Sequence, residues 1–135
     1  MRELPRQLSE DELAELFSGR TRLTEELARR EDPLGVADEV AAELPEADQI
    51  AALDTHPRIG EKSEEQRGKI PPELVELVGA YEAKFGFAFV VFVAGRSRDE
   101  LVPVLRGRLG RTREQELATG LRELVAIARD RWIRT

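Results

Sequence analysis

The chain has 135 residues, 41% hydrophobic and 36% charged, with no cysteine and one histidine. That length fits one domain, and no apolar stretch approaches the ~18–20 residues that cross a bilayer, which excludes a helical membrane span. The lack of cysteine excludes disulfides, thiolate catalysis and cysteine-held zinc or iron–sulfur centres, and a lone histidine excludes a multi-histidine metal site, so no metal is expected.

The net charge of −6 is unevenly spread: residues 96–135 hold ten arginines against six acids, a net of +4, which leaves −10 for residues 1–95. Such asymmetry suits an anionic partner. Arginines interleaved with acids on solvated helix faces explain it at least as well, and an aromatic content of 5% gives few platforms for stacking bases, so nucleic-acid binding is not expected. Met1–Pro5 lacks the apolar core of a signal peptide and Ile133-Arg134-Thr135 is not a peroxisomal address, so a cytoplasmic location is expected. The oligomeric state stays open, a homodimer included.

In chain order, Ser9-Glu10-Asp11-Glu12 has the spacing at which Ser and Glu cap each other's backbone N–H groups, and Leu13, Leu16 and Phe17 follow at helical spacing. A first helix is predicted from Ser9. A second covers Thr21 to Arg30, with Leu23 and Leu27 on one face, and ends before Pro33 because the residue preceding a proline avoids the helical region. Leu34, Val40 and Leu44 predict a third. Pro45 suits the first position of a fourth, whose apolar side is Ile50 and Leu53. That helix runs into His56, which the following Pro57 pushes toward an extended conformation, with Gly60 loosening the polar stretch beyond.

Ser63 and Gln66 repeat the capping spacing. Pro71-Pro72 then opens the clearest core helix, carrying Leu74, Leu77, Val78, Tyr81 and Phe85, with Gly86 as a left-handed stop. Phe87 to Ala94 is apolar throughout and rich in β-branched and aromatic residues, so it reads locally as a buried strand. With only helices around it, an extended or partly helical connector through the core is expected, whose backbone groups must bond elsewhere. Two further capping boxes, at Ser97 to Glu100 and Thr112 to Gln115, start the last two helices. Pro103 inside the first of them predicts a kink or a late start, Gly110 its end. The last helix, with Leu117, Leu121, Leu124, Val125, Ala128 and Trp132, is predicted to be long.

Four places have chemical potential. His56 is a candidate acid or base because imidazole titrates near neutrality, although a solitary histidine is as readily exposed or structural. Glu65 lies in a predicted first helical turn, where the helix dipole favours its anion and where capping alone also explains it. Arg131 follows Leu117 and Leu124 at intervals of seven, which turns it toward the apolar side of its helix; a guanidinium aimed inward wants an anion, whereas one snorkelling at the helix end does not. The run Phe87 to Ala94 is core by default, yet a partnerless backbone can also turn N–H groups onto a substrate.

Taken in order, His56-Pro57-Arg58-Ile59-Gly60, Ser63-Glu64-Glu65-Gln66, the block Tyr81 to Val90 (Tyr-Glu-Ala-Lys-Phe-Gly-Phe-Ala-Phe-Val) and Ile127-Ala128-Arg129-Asp130-Arg131 resemble the signature blocks of OHCU decarboxylases. These enzymes act on 2-oxo-4-hydroxy-4-carboxy-5-ureidoimidazoline and complete the conversion of urate to S-allantoin. The resemblance runs from about Leu8 to Trp132. It implies an all-α fold, a single compact multi-helix domain over residues 1–135 with one extended apolar segment lining the site, and a carboxy-lyase that uses neither metal nor organic cofactor on a small anionic substrate.

By motif position the resemblance puts the catalytic histidine on His56 with Pro57 beside it, and the site carboxylate and amide on Glu65 and Gln66, with Ser63 and Glu64 in the same turn. Backbone contacts fall on Phe89, Val90, Val91, Phe92 and Val93, and the substrate-binding arginine on Arg131. The chain departs from the pattern at Ala88, where relatives commonly carry proline, and at Phe92 and Val93, which replace smaller or more polar residues. The implied chemistry has His56 protonating the decarboxylated carbon while Arg131 holds the anion. The alternative is a helical interaction protein that keeps the scaffold without catalysis.

Overall fold

The computed structural model describes residues 3–57 and 71–134, and among these it holds seven helices and no strand. They are α1 (Glu10–Leu16), α2 (Arg22–Ala28), α3 (Pro33–Glu43), α4 (Glu46–Asp54), α5 (Pro72–Phe85), α6 (Arg98–Leu109) and α7 (Arg113–Arg134). The all-α expectation therefore holds, and no described helix is long and apolar enough to cross a membrane. The predicted capping box at Ser63 lies outside the described residues.

Local chemistry sets most helix ends. Ser9 and Glu12 bond reciprocally, as do Ser97 and Glu100, and Thr112 and Gln115, each pair satisfying two N–H groups that the first turn leaves without intrahelical partners. Gly86 caps α5 in the left-handed region at φ +82°. Two ends differ from expectation. Pro45 is the cap of α4 rather than its first helical residue, and α2 stops at Ala28. Pro103 does not delay α6, which starts at Arg98; the ring sits on the exposed side, so the carbonyl it leaves unbonded faces solvent.

The 22-residue α7 is the axis of the fold. It packs against α1, α3 and α4, the first three helices pack in sequence, and α5 pairs with α6. Gly120 lets α4 come close, since a Cβ there would stand 3.2 Å from Leu53. Fully buried Leu13, Leu23, Leu27, Leu34, Leu53 and Leu74 form one continuous core with Val125 and Ala128 of α7.

One charged cluster lies inside this core. Glu116 has no exposed surface and accepts from Tyr81 Oη at 2.8 Å, Arg108 Nε at 2.6 Å and Arg111 Nη1 at 3.0 Å. Arg108 also donates to the Val90 carbonyl at 2.8 Å and lies over the Phe89 ring, 4.6 Å from its centroid. Three helices are thus tied to the apolar run by one carboxylate and one guanidinium. Burial, then the bond to Glu116, pushes the Tyr81 hydroxyl well above its ordinary pKa.

Glu116→Leu leaves Arg108 buried without its carboxylate and is expected to cost about 3–5 kcal/mol in urea unfolding; a cost under about 1 kcal/mol would make the cluster dispensable. A phenol whose pKa is raised by folding adds stability that is complete below about pH 10 and is lost as the pH climbs beyond it. Tyr81 is the only tyrosine, so its phenolate absorbance should rise together with the loss of helical circular dichroism, not ahead of it.

Candidate active site

The end of α4 presents His56. The helix stops at Asp54, Thr55 caps it with its hydroxyl donating to the Ala52 carbonyl at 2.9 Å, and the His56 N–H donates to Leu53 at 3.1 Å. The His56 side chain, half-buried, lines a cavity of about 320 Å³ together with Val91 to Ala94 of the apolar run, the following Gly95, and Ile127, Asp130, Arg131 and Arg134 of α7. Three stretches far apart in sequence meet there: residue 56, residues 91–93 and residue 131. A larger cavity, about 500 Å³, lies between α3, α4 and α7 and is lined by Ala42, Leu117 and Leu121 among others; none of the described candidate residues lines it.

The apolar run takes neither helical nor strand form, and side chains from other elements satisfy its backbone. Ala88 N–H donates to Asp54 Oδ1 at 2.9 Å, Phe92 N–H to Glu123 Oε1 at 3.1 Å, and the Phe92 and Val93 carbonyls accept from Arg96 at 2.6 and 3.0 Å. With Arg108 on Val90, four charged residues stand in for a neighbouring strand. Among the described residues, the N–H groups of Val91 and Val93, both at the cavity wall, donate to nothing. Phe89 and Val90 are buried beneath the wall rather than in it, and the Phe92 donor is spent on Glu123.

Arg131 is half-buried, and its Nη1 donates to the Leu16 carbonyl and to Ser18 Oγ, each at 2.8 Å. Both acceptors are neutral. Desolvation lowers its pKa, but a guanidinium keeps its charge throughout the range in which proteins fold. Among the described residues Arg131 forms no ion pair, whereas the neighbouring wall acid Asp130 is matched by Arg134 at 2.8 Å. Among the described residues that line the cavity, Arg131 is therefore a cation without a carboxylate partner.

The turn that receives Arg131 is itself unusual. Ser18 follows α1 in the left-handed region at φ +67°, and the Gly19 N–H closes back on the Ala14 carbonyl at 2.8 Å, the backbone pattern of a Schellman stop. A side chain at such a position costs on the order of 1–2 kcal/mol. Gly19 has φ +152°, and a Cβ there would stand 3.3 Å from Thr55, so the turn abuts the residue before His56.

Pro57 is half-buried next to His56 and is not part of the cavity wall. Ser63, Glu64, Glu65 and Gln66 lie outside the described residues. Sequence reasoning missed Ser18, Asp54 and Glu123. Of these only Ser18 left a signal, the Ser-Gly pair just past an apolar helix.

The model of one protein family, described as OHCU decarboxylase, matches residues 2–132. The chain belongs to the OHCU decarboxylase family. A crystal structure of an OHCU decarboxylase in the presence of (S)-allantoin superposes with a TM-score of 0.73 at 22% identity, covering 89% of this chain and 94% of that one. A crystal structure of (S)-allantoin synthase gives a TM-score of 0.71 at 20% identity over 93% of this chain; only 48% of that protein is covered, so this chain spans about half its length. No curated protein sequence matches. These structures share the fold of the OHCU decarboxylase family member described above, and the residue roles have to come from its own geometry.

If the Glu123 carboxylate holds the apolar run in place, Glu123→Ala should cost about 1–2 kcal/mol in chemical unfolding, and Glu123→Gln, which keeps an acceptor, clearly less. Equal costs for the two would count against the bond to Phe92.

Proposed function

We propose that this protein decarboxylates 2-oxo-4-hydroxy-4-carboxy-5-ureidoimidazoline to S-allantoin, with His56 as the acid/base and without an organic cofactor. The observation that carries the reading is a single cavity lined by His56, by Arg131, which has no ion pair among the described residues, and by Val91 and Val93, whose N–H groups have no acceptor among them. A volume of about 320 Å³ suits a small ring compound of this kind.

Loss of CO2 breaks a carbon–carbon bond and leaves its electron pair behind. Without an added electron sink, the unsaturation of the substrate ring must take up that pair, and the protein's task is to bind the anion, stabilise the charge moving into the ring and return one proton. Arg131 suits the first task because its charge is not spent on a protein carboxylate. Val91 and Val93 suit the second, since fixed N–H donors in a cavity stabilise a developing oxyanion without reorganising. His56 supplies the proton to one face of the ring carbon, which makes the product chiral. Glu65 and Gln66 orient the ureido and hydroxyl groups in this scheme.

Freshly generated substrate mixed with the protein should give optically active product, followed by circular dichroism; racemic product at the spontaneous rate would reject the decarboxylase and favour an interaction protein on the same scaffold. His56→Ala should lower kcat by about 10²–10⁴-fold with the helical spectrum unchanged. Arg131→Ala should act chiefly on KM, raising it about 10–100-fold.

A further inference from the structure

An arginine side chain has several rotatable bonds, and holding it at one point of a cavity wall requires a partner. A carboxylate partner would neutralise the charge that the substrate needs. Here the partners are the carbonyl that ends α1 and the hydroxyl of Ser18, which hold the guanidinium and leave its charge intact.

The carbonyl is available to any sequence that forms this turn. The hydroxyl is not, and it occupies a strained position. The residue after the cap of a Schellman stop is the one at which glycine is ordinarily favoured, yet the chain places Ser18 there and its glycine one residue later. Strain of this kind persists where the surroundings impose it and concentrates at functional sites. Ser18 is half-buried, and its hydroxyl accepts from Arg131 across 113 positions of sequence. On its other side the same turn, through Gly19, rests on Thr55, so it also spaces the end of α4 from α7 at the place where His56 and Arg131 share a wall.

We propose that Ser18 is a positioning residue for substrate binding: it fixes the Arg131 guanidinium toward the cavity with a neutral acceptor, at the expense of a left-handed backbone. This rests on the reading of Arg131 as the anion-binding group. Ser18 does not touch the reacting atoms and acts only through Arg131.

Two substitutions separate positioning from folding. Ser18→Gly relieves the backbone and removes the hydroxyl, whereas Ser18→Thr keeps a hydroxyl and worsens the backbone, because β-branched residues fit the left-handed region poorly. Ser18→Gly should therefore keep or raise Tm while raising KM about three- to tenfold with kcat little changed. Ser18→Thr should lower Tm while KM stays within about twofold of the unsubstituted protein. If KM instead follows Tm across the pair, Ser18 is merely structural and the proposal fails.

A second measurement does not depend on turnover. NMR of the arginine side chains should give resolved, slowly rotating Nη signals for Arg131 in the unsubstituted protein and averaged ones in Ser18→Gly. Identical signals in both would overturn the positioning role. An unsubstituted protein with no decarboxylase activity but with Ser18-dependent Arg131 signals would reject the enzymatic reading and leave the clamp standing.

Discussion

A carboxylate removed from water must be matched by donors, or it takes up a proton or unfolds its surroundings. Glu116 is such a group, fully buried in the first turn of α7, and three side chains from other parts of the chain converge on it. The match extends beyond the pair itself. Arg108, once drawn in by Glu116, has a second nitrogen left to reach the Val90 carbonyl and a flat face to lay on Phe89. The apolar run cannot bond to a strand, because there is none among the described residues, and the buried charge gives it its deepest anchor. The wall of the cavity follows from that anchor, since Val91 to Val93 leave the core where Val90 is fastened.

The same economy governs the arginines of the C-terminal region, whose excess charge suggested an anionic partner. Arg108, Arg111 and Arg113 bond to acids or to carbonyls at the ends of other helices, and Arg129 joins the Leu34 carbonyl and Asp38 of α3. Most of that positive charge is spent inside the fold, partly on Glu116 and Asp130 of the same region and partly on Asp38, Glu46 and Glu73 of the more acidic N-terminal part. Arg131, like Arg96, has only neutral acceptors, but Arg131 is the one of the two whose acceptors lie on a distant element, the end of α1 and the turn after it. A cation without a carboxylate partner that lines a cavity beside His56 is a sharper indication of a ligand than a regional excess of charge.

Helix starts were the most legible feature, because a capping box is a contest between a side chain and a backbone four residues long, decided before any tertiary contact forms. Ser9, Ser97 and Thr112 all cap as their sequences predict. The left-handed stop at Gly86 was legible for a similar reason. The buried cluster was partly legible. Glu116, Gly120 and Leu124 share one face of α7, and Leu101, Leu105 and Arg108 one face of α6, the spacing argument that singled out Arg131, but a charge on an apolar face states only that it needs a partner, not which. What could not be read from periodicity is the meeting of His56 with Arg131, which depends on how a short turn spaces two elements 75 residues apart; the physics of each residue made it a candidate, and only the family resemblance put the two in one site. Ala88 illustrates the opposite case. It lacks the rigidity proline would lend, and its N–H, which proline would not have, is bonded to Asp54.

The way the apolar run is held also bears on the life of the chain before it is folded. Eight uncharged residues from Phe87 to Ala94, dense in valine and phenylalanine, form the kind of segment that stacks into intermolecular β-structure when exposed. In the native protein five of its ladder groups are occupied by Asp54, Arg96, Arg108 and Glu123, and all but Arg96 come into place only when α4, α6 and α7 are docked. Until then the protection against self-association rests on the flanking charges of Lys84 and Arg96. The cavity wall is therefore also the chain's principal aggregation hazard, kept harmless by the cooperativity of the helices around it.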